Sequence, residues 1–92
     1  MNLSKRSLAD LDNIVEYAEK QSFVYAQNIT MRIFDRIAQL ADFPNTGKKV
    51  LELNDESVRE LVTGNYRIIY KVYDTYVDVL TIQHGSQSLK GL

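Results

Sequence analysis

Apolar positions in the first half of the chain recur at helical spacing. Leu8, Leu11, Ile14 or Val15, and Ala18 share one face, and Ser4 or Ser7 is placed to cap the helix N-terminus. Ser7 followed by Asp10 resembles a capping box with Asp in the place of Glu or Gln. A break around residues 20–23 offers Ser22 as a second cap. Beyond it Ala26, Ile29, Ile33, Ile37 and Leu40 form a longer stripe, flanked by Phe34 and Ala41. The run from Phe43 through Pro44 to Gly47 stops this stripe, because proline lacks the N–H a helix needs and glycine favours exit from it. Two helices across so short a break predict an antiparallel hairpin.

The period then changes. Residues 49–53 are β-prone, 54–57 read as a loop and 58–62 as a strand, with Gly64 and Asn65 as a tight turn. Residues 66–73 and 76–84 are rich in Ile, Val and Tyr and predict the strongest strands, joined at Asp74 and Thr75. Helices followed by strands predict an α+β fold over residues 1–92: an N-terminal antiparallel helical hairpin packed on a small antiparallel β-sheet.

A two-residue loop at Asp74 and Thr75 sets a register. One sheet face then carries Tyr66, Ile68, Tyr70, Val72, Val77 and Val79, the natural seat for the helices. The other carries Arg67, Ile69, Lys71, Asp78, Leu80, Ile82 and His84, joined by Val58, Glu60 and Val62. This second face is half apolar, and no further layer is evident to cover it. Two readings fit: a partner-binding surface centred on Val62, Ile69, Leu80 and Ile82, or a sheet that curls over itself.

Composition narrows the chemistry. The chain has 92 residues, 45% hydrophobic and 25% charged, which suits one small domain and excludes a disordered or fibrous chain. No apolar run approaches the roughly 20 residues of a membrane helix, and the N-terminus lacks a signal-peptide core, so no membrane association is expected and the cytoplasm is the expected location. With no cysteine and one histidine, no disulfide, metal or cofactor is expected; Asp10, Asp12 and Glu16 read as the solvated face of the first helix. Eleven Lys and Arg against twelve Asp and Glu leave a net charge of −1. A pI near 5.7 argues against gripping nucleic acid through its phosphates, and direct sequence-specific DNA binding is not expected. No serine sits on a nucleophile elbow, and Gly47-Lys48-Lys49 lacks the upstream glycines of a phosphate loop.

One constellation remains. In the register above Arg67 faces Ile82, and His84 is its diagonal neighbour, about 7–8 Å away between Cα atoms. Glu52 or Glu60 could approach from neighbouring strands. A carboxylate or histidine as base, a histidine as acid and an arginine on the phosphate form a workable set for cleaving RNA through its 2′-hydroxyl. The plainer reading is a strand arginine paired with Glu60 and a histidine at a strand end. Tyr66, Tyr70, Tyr73 and Tyr76 read as sheet core and hairpin clamp rather than a base-stacking platform, since they lack interleaved cations.

The segment Val58-Arg59-Glu60-Leu61-Val62, followed by Gly64-Asn65-Tyr66-Arg67-Ile68-Ile69-Tyr70-Lys71-Val72, resembles the strand signature of the RelE/ParE toxin superfamily. So do Val79-Leu80-Thr81-Ile82-Gln83-His84-Gly85, the helix opening from Leu3 to Ile14, and the link from Phe43-Pro44 to Gly47. The resemblance spans nearly the whole chain. It implies a toxin of a bacterial type II toxin–antitoxin module, of the kind tied to plasmid stabilization and growth arrest, neutralised by a cognate antitoxin that folds on it as helix and strand. RelE-like members are ribosome-dependent endoribonucleases and usually basic; ParE-like members block DNA gyrase. Arg67 and His84 match ribonuclease positions in some subfamilies, with Glu52 as candidate base, so these three are the catalytic candidates if the chain is a ribonuclease. Arg67 lies in a strand common to both branches, however. Where many relatives carry arginines after His84-Gly85, this chain has Ser86 and Gln87. With only three residues before the first helix, the N-terminal edge strand is expected to be short. The acidic balance favours the ParE-like branch: a gyrase-binding, non-enzymatic toxin. The alternatives are the ribonuclease and an attenuated toxin that keeps only antitoxin binding.

Overall fold

A computed structural model describes residues 2–85. Two helices, α1 (Lys5–Gln21) and α2 (Phe23–Asp42), follow a short strand β1 (Asn2–Leu3). Ser4 caps α1, its hydroxyl accepting a hydrogen bond from the Ser7 amide at 3.0 Å; Ser7 is itself buried and its hydroxyl donates to the Ser4 carbonyl. A single extended residue separates the helices. The Ser22 amide donates to the Ala18 carbonyl and ends α1, while its side chain accepts from the Tyr25 amide and starts α2. With no room for a longer loop the chain folds back, so Val15 and Glu19 of α1 line a groove with Phe23, Gln27 and Met31 of α2.

Strands β2 (Lys48–Lys49), β3 (Val58–Thr63), β4 (Tyr66–Val72) and β5 (Val77–His84) complete a sheet of order β1-β5-β4-β3-β2. The sheet is mixed rather than wholly antiparallel, because β1 runs parallel to β5. The β-prone stretch at 49–53 yields only the two residues of β2; the chain then leaves the sheet and passes over it. Gly64, at φ +58°, takes the first position of the two-residue β3–β4 turn, where a positive φ suits the twist of the strands it joins. At the other end Tyr73 and Tyr76 stack with ring centroids 4.6 Å apart, and the Lys71 ammonium sits over the Tyr73 ring, a clamp on the β4–β5 hairpin.

The α2 stripe of Ala26, Ile29, Ile33, Ile37 and Leu40 is wholly buried. It packs with Leu11 and Ala18 of α1 on Leu61, Tyr66, Ile68, Tyr70, Val77, Val79 and Ile82 of the sheet. Leu8 and Phe34, at the edges of the two stripes, stay largely exposed. Tyr70 is fully buried, and its hydroxyl accepts from the Gly47 amide and donates to the Pro44 carbonyl, both at 2.8 Å. Burial raises its pKa, so the phenol stays protonated and keeps donating. These bonds hold the helix-to-sheet link against β4, and a Cβ on Gly47 would collide with the Glu60 carbonyl and the Tyr70 hydroxyl.

The β4–β5 register starts as the sequence predicts, with Val72 opposite Val77 and Lys71 opposite Asp78, and then slips. Tyr70 pairs with Val79 but Ile69 pairs with Thr81, leaving Leu80 as an extra residue in a β-bulge. Every β5 side chain beyond the bulge is therefore displaced by one position. Asp10 is not on a solvated face: its Oδ2 accepts from the Thr81 hydroxyl and from the Ile82 amide at 3.0 Å. Ser4 adds its amide to the Val79 carbonyl and its hydroxyl to the Leu80 carbonyl, so the start of α1 stands in for a strand along the outer edge of β5.

Candidate functional site

The bulge redistributes the residues named from sequence. Arg67 lies opposite Gln83, not Ile82. Ile82 joins the helix-side core at 2% exposure, and His84 pairs with Tyr66, its ring edge-on to the tyrosine with centroids 5.9 Å apart. Arg67 and His84 are thus not neighbours on one face. His84 instead sits at the end of the sheet, lining both a helix-side cleft and a shallow pocket that also includes Arg67 and Glu60.

The other sheet face is also less open than the sequence suggests. Ile69 is fully buried, packed with Val50 and Val58 beneath Leu53 and the half-buried Leu80. The segment after β2 supplies the cover that the sequence pattern does not announce. Of Val62, Ile69, Leu80 and Ile82, only Val62 is well exposed, at 54%.

Arg67 is the centre of what polar chemistry this face holds. Its Nε donates to Glu60 at 2.7 Å, and its two terminal nitrogens grip both carboxylate oxygens of Glu52 at 2.9 and 3.0 Å. Glu60 is buried on β3, on the side of Ile69; Glu52 swings in from the covering segment. The guanidinium is held further into its charged form by its hydrogen bonds to Glu52, outweighing desolvation, while the same contact lowers the Glu52 pKa. The side chain of Arg67 is 13% exposed, so its donors are consumed internally. Neighbouring cations are likewise matched: Lys48 with Glu60, Lys49 with Glu56 and Lys71 with Asp55. Arg59 reaches the Gly47 carbonyl. Sequence reasoning anticipated the Arg67–Glu60 pair from cross-strand proximity and named Glu52 without its bidentate geometry. It missed Gln83, whose Oε1 is buried without a hydrogen-bond partner beside Arg67.

Among the described residues no cluster of His, Cys, Asp or Glu is arranged to hold a metal ion, and no helix is long and apolar enough to cross a membrane. Ser86 and Gln87 lie outside the described residues.

Residues 1–89 match the family model of the ParE toxin of the type II toxin–antitoxin system parDE. The chain belongs to the ParE toxin family. It is 34% identical over 83 residues to Toxin RelE2 of Caulobacter vibrioides, covering 89% of this chain and 90% of that protein. A chain of the chromosomal ParDE toxin–antitoxin system from P. aeruginosa superposes with a TM-score of 0.75 at 19% identity, over 90% of this chain and 91% of that one. In this chain the fold, shared with that ParDE chain, is two helices on a five-stranded mixed sheet, with the Arg67 cluster on the face turned away from the helices.

Proposed function

We propose that this chain is a growth-arresting toxin that acts by binding DNA gyrase and is held inactive by a cognate antitoxin. The observation that carries the choice of target is the occupancy of Arg67. A ribonuclease of this fold needs a guanidinium presented to the scissile phosphate, and here Glu52 and Glu60 already engage Nε and both terminal nitrogens. Phosphate contacts dominate affinity for RNA, yet Lys48 and Lys71 on this side each face a carboxylate and the whole chain carries a net charge of −1. A protein target makes no such demand. Val62 and the half-buried Leu80 remain the apolar positions on this face through which an antitoxin strand or helix would be held.

The second reading is a ribosome-dependent mRNA endoribonuclease. It is favoured by the contact of Glu52 with Arg67 and by the shallow pocket that Arg67 shares with His84. In that reading the ligand displaces Glu52, which then serves as base, with His84 as acid.

Pulse-labelling after induction of the chain without antitoxin separates the two. Under the gyrase reading DNA synthesis falls before protein synthesis, and His84→Ala and Arg67→Gln variants that fold still arrest growth. Early collapse of protein synthesis, abolished in both variants, would establish the ribonuclease. No effect on either synthesis would mark an attenuated toxin whose surviving role is antitoxin binding.

A further inference from the structure

A cleft of about 620 Å³ opens between the helical hairpin and the turn end of the sheet, and neither reading of the target uses it. Tyr17 and Gln21 of α1, Tyr25 in the first turns of α2, Asn65 and Tyr66 at the β3–β4 turn, and His84 at the end of β5 form much of its wall. Asp10 adds a carboxylate, and among the described residues no lysine or arginine lines it. The three phenols surround one space: the Tyr66 hydroxyl is pushed up first by burial and then by the proximity of Tyr25 and Tyr17. Tyr66 is buried and fixed edge-on to His84, while Tyr17 and Tyr25 stand exposed at 62% and 38%.

This lining selects by charge. Aromatic faces carry negative potential and attract a cation placed within about 6 Å of the ring. Side-chain amides at Gln21 and Asn65 offer acceptor oxygens, and the Asp10 carboxylate adds a full negative charge. A phosphate or carboxylate entering here would meet the Asp10 carboxylate and no cationic partner among the described residues. Guanidinium fits better than ammonium, because it is planar, stacks on tyrosine and donates in several directions to the amides.

We propose that this cleft is the socket for an arginine side chain of the antitoxin. The proposal rests on the reading that this chain is neutralised by an antitoxin, and it adds the chemistry of one anchor. A planar cation inserted between Tyr17, Tyr25 and Tyr66 bridges the hairpin to the end of β5, and it would hold the partner beside His84.

The test uses the full chain with isotope-labelled tyrosine rings, titrated with N-acetyl-arginine methylamide and with the neutral isostere N-acetyl-citrulline methylamide. The arginine amide is expected to shift the Tyr17, Tyr25 and Tyr66 rings along one saturable curve, with a dissociation constant on the order of 1–10 mM. Citrulline should bind roughly tenfold more weakly. Tyr17→Leu and Tyr25→Leu should each weaken the arginine amide about three- to tenfold while the remaining backbone signals stay in place. Equal shifts with citrulline, shifts scattered away from these rings, or undiminished binding in both variants would overturn the proposal. Co-expression with the antitoxin is read separately. Failure to neutralise the wild-type chain would refute the antitoxin reading itself, whereas neutralisation without arginine-amide binding would refute only the socket.

Discussion

Replacing Asp10 with alanine tests the contact that fixes the sheet. Its Oδ2 is the acceptor for two donors at the β-bulge, the Thr81 hydroxyl and the Ile82 amide, on residues 0% and 2% exposed. The Ile82 N–H has no β1 partner, because β1 pairs with β5 only as far as Val79. Each buried donor stripped of its acceptor costs about 1–3 kcal/mol, and the two share one carboxylate, so about 2–4 kcal/mol is expected for the pair. That is a large share of the roughly 5–14 kcal/mol that holds a domain of this size together. With a urea slope of about 1–1.5 kcal/mol per M, the unfolding midpoint should fall by about 1.3–4 M. Asp10→Asn keeps one acceptor oxygen and should lose only about 1 kcal/mol. The Ile82 amide should lose much of its hydrogen-exchange protection in the alanine variant and keep it in the asparagine variant. An alanine variant within about 0.5 kcal/mol of wild type, with Ile82 still protected, would refute the view that α1 pins the bulge.

Other expectations follow from the same geometry. Gly47→Ala forces a Cβ onto the Glu60 carbonyl and the Tyr70 hydroxyl, and should cost about 1–3 kcal/mol in thermal or urea unfolding. The hydrogen bond from Arg67 lowers the Glu52 pKa, so the folded protein binds this proton less readily than the unfolded chain. The contribution of the pair is therefore present above the ordinary carboxylate range and lost as pH falls through the lowered value. Carboxyl NMR should show Glu52 titrating below the ordinary glutamate value, and Arg67→Gln should bring it back up. Val62→Asp sits on an exposed strand position and should change stability by less than about 0.5 kcal/mol, yet weaken the antitoxin complex by about 2 kcal/mol or more in titration calorimetry. Unchanged affinity would move the partner off this face.

The helices were legible because each is written in one period with a cap at each start. Every member of the α2 stripe is buried, and Ser22 starts α2 as predicted while also ending α1. The strands were legible in position and, near the Tyr73–Tyr76 clamp, in register. The bulge was not, since Val79, Leu80 and Thr81 are all good strand residues and nothing local marks one of them as extra. The decisive group is Asp10, 72 positions before the Ile82 amide it binds, and a side-chain acceptor at that distance leaves no periodic signal. That one slip carried Ile82 and His84 to the helix side. Residues 49–53 misled for a different reason: they are β-prone, but after β2 the segment is better used covering Ile69 with Val50 and Leu53. The same excursion delivers Glu52 to Arg67, which converts a candidate phosphate ligand into an internally satisfied ion pair.

The most direct test of the central claim is supercoiling of relaxed plasmid by purified DNA gyrase and ATP, titrated with the purified chain. Supercoiling should fall with rising concentration of the chain, and His84→Ala should inhibit as well as wild type. Full supercoiling at saturating chain, from a preparation that cleaves mRNA on ribosomes, would contradict it and return Glu52, Arg67 and His84 to a catalytic role.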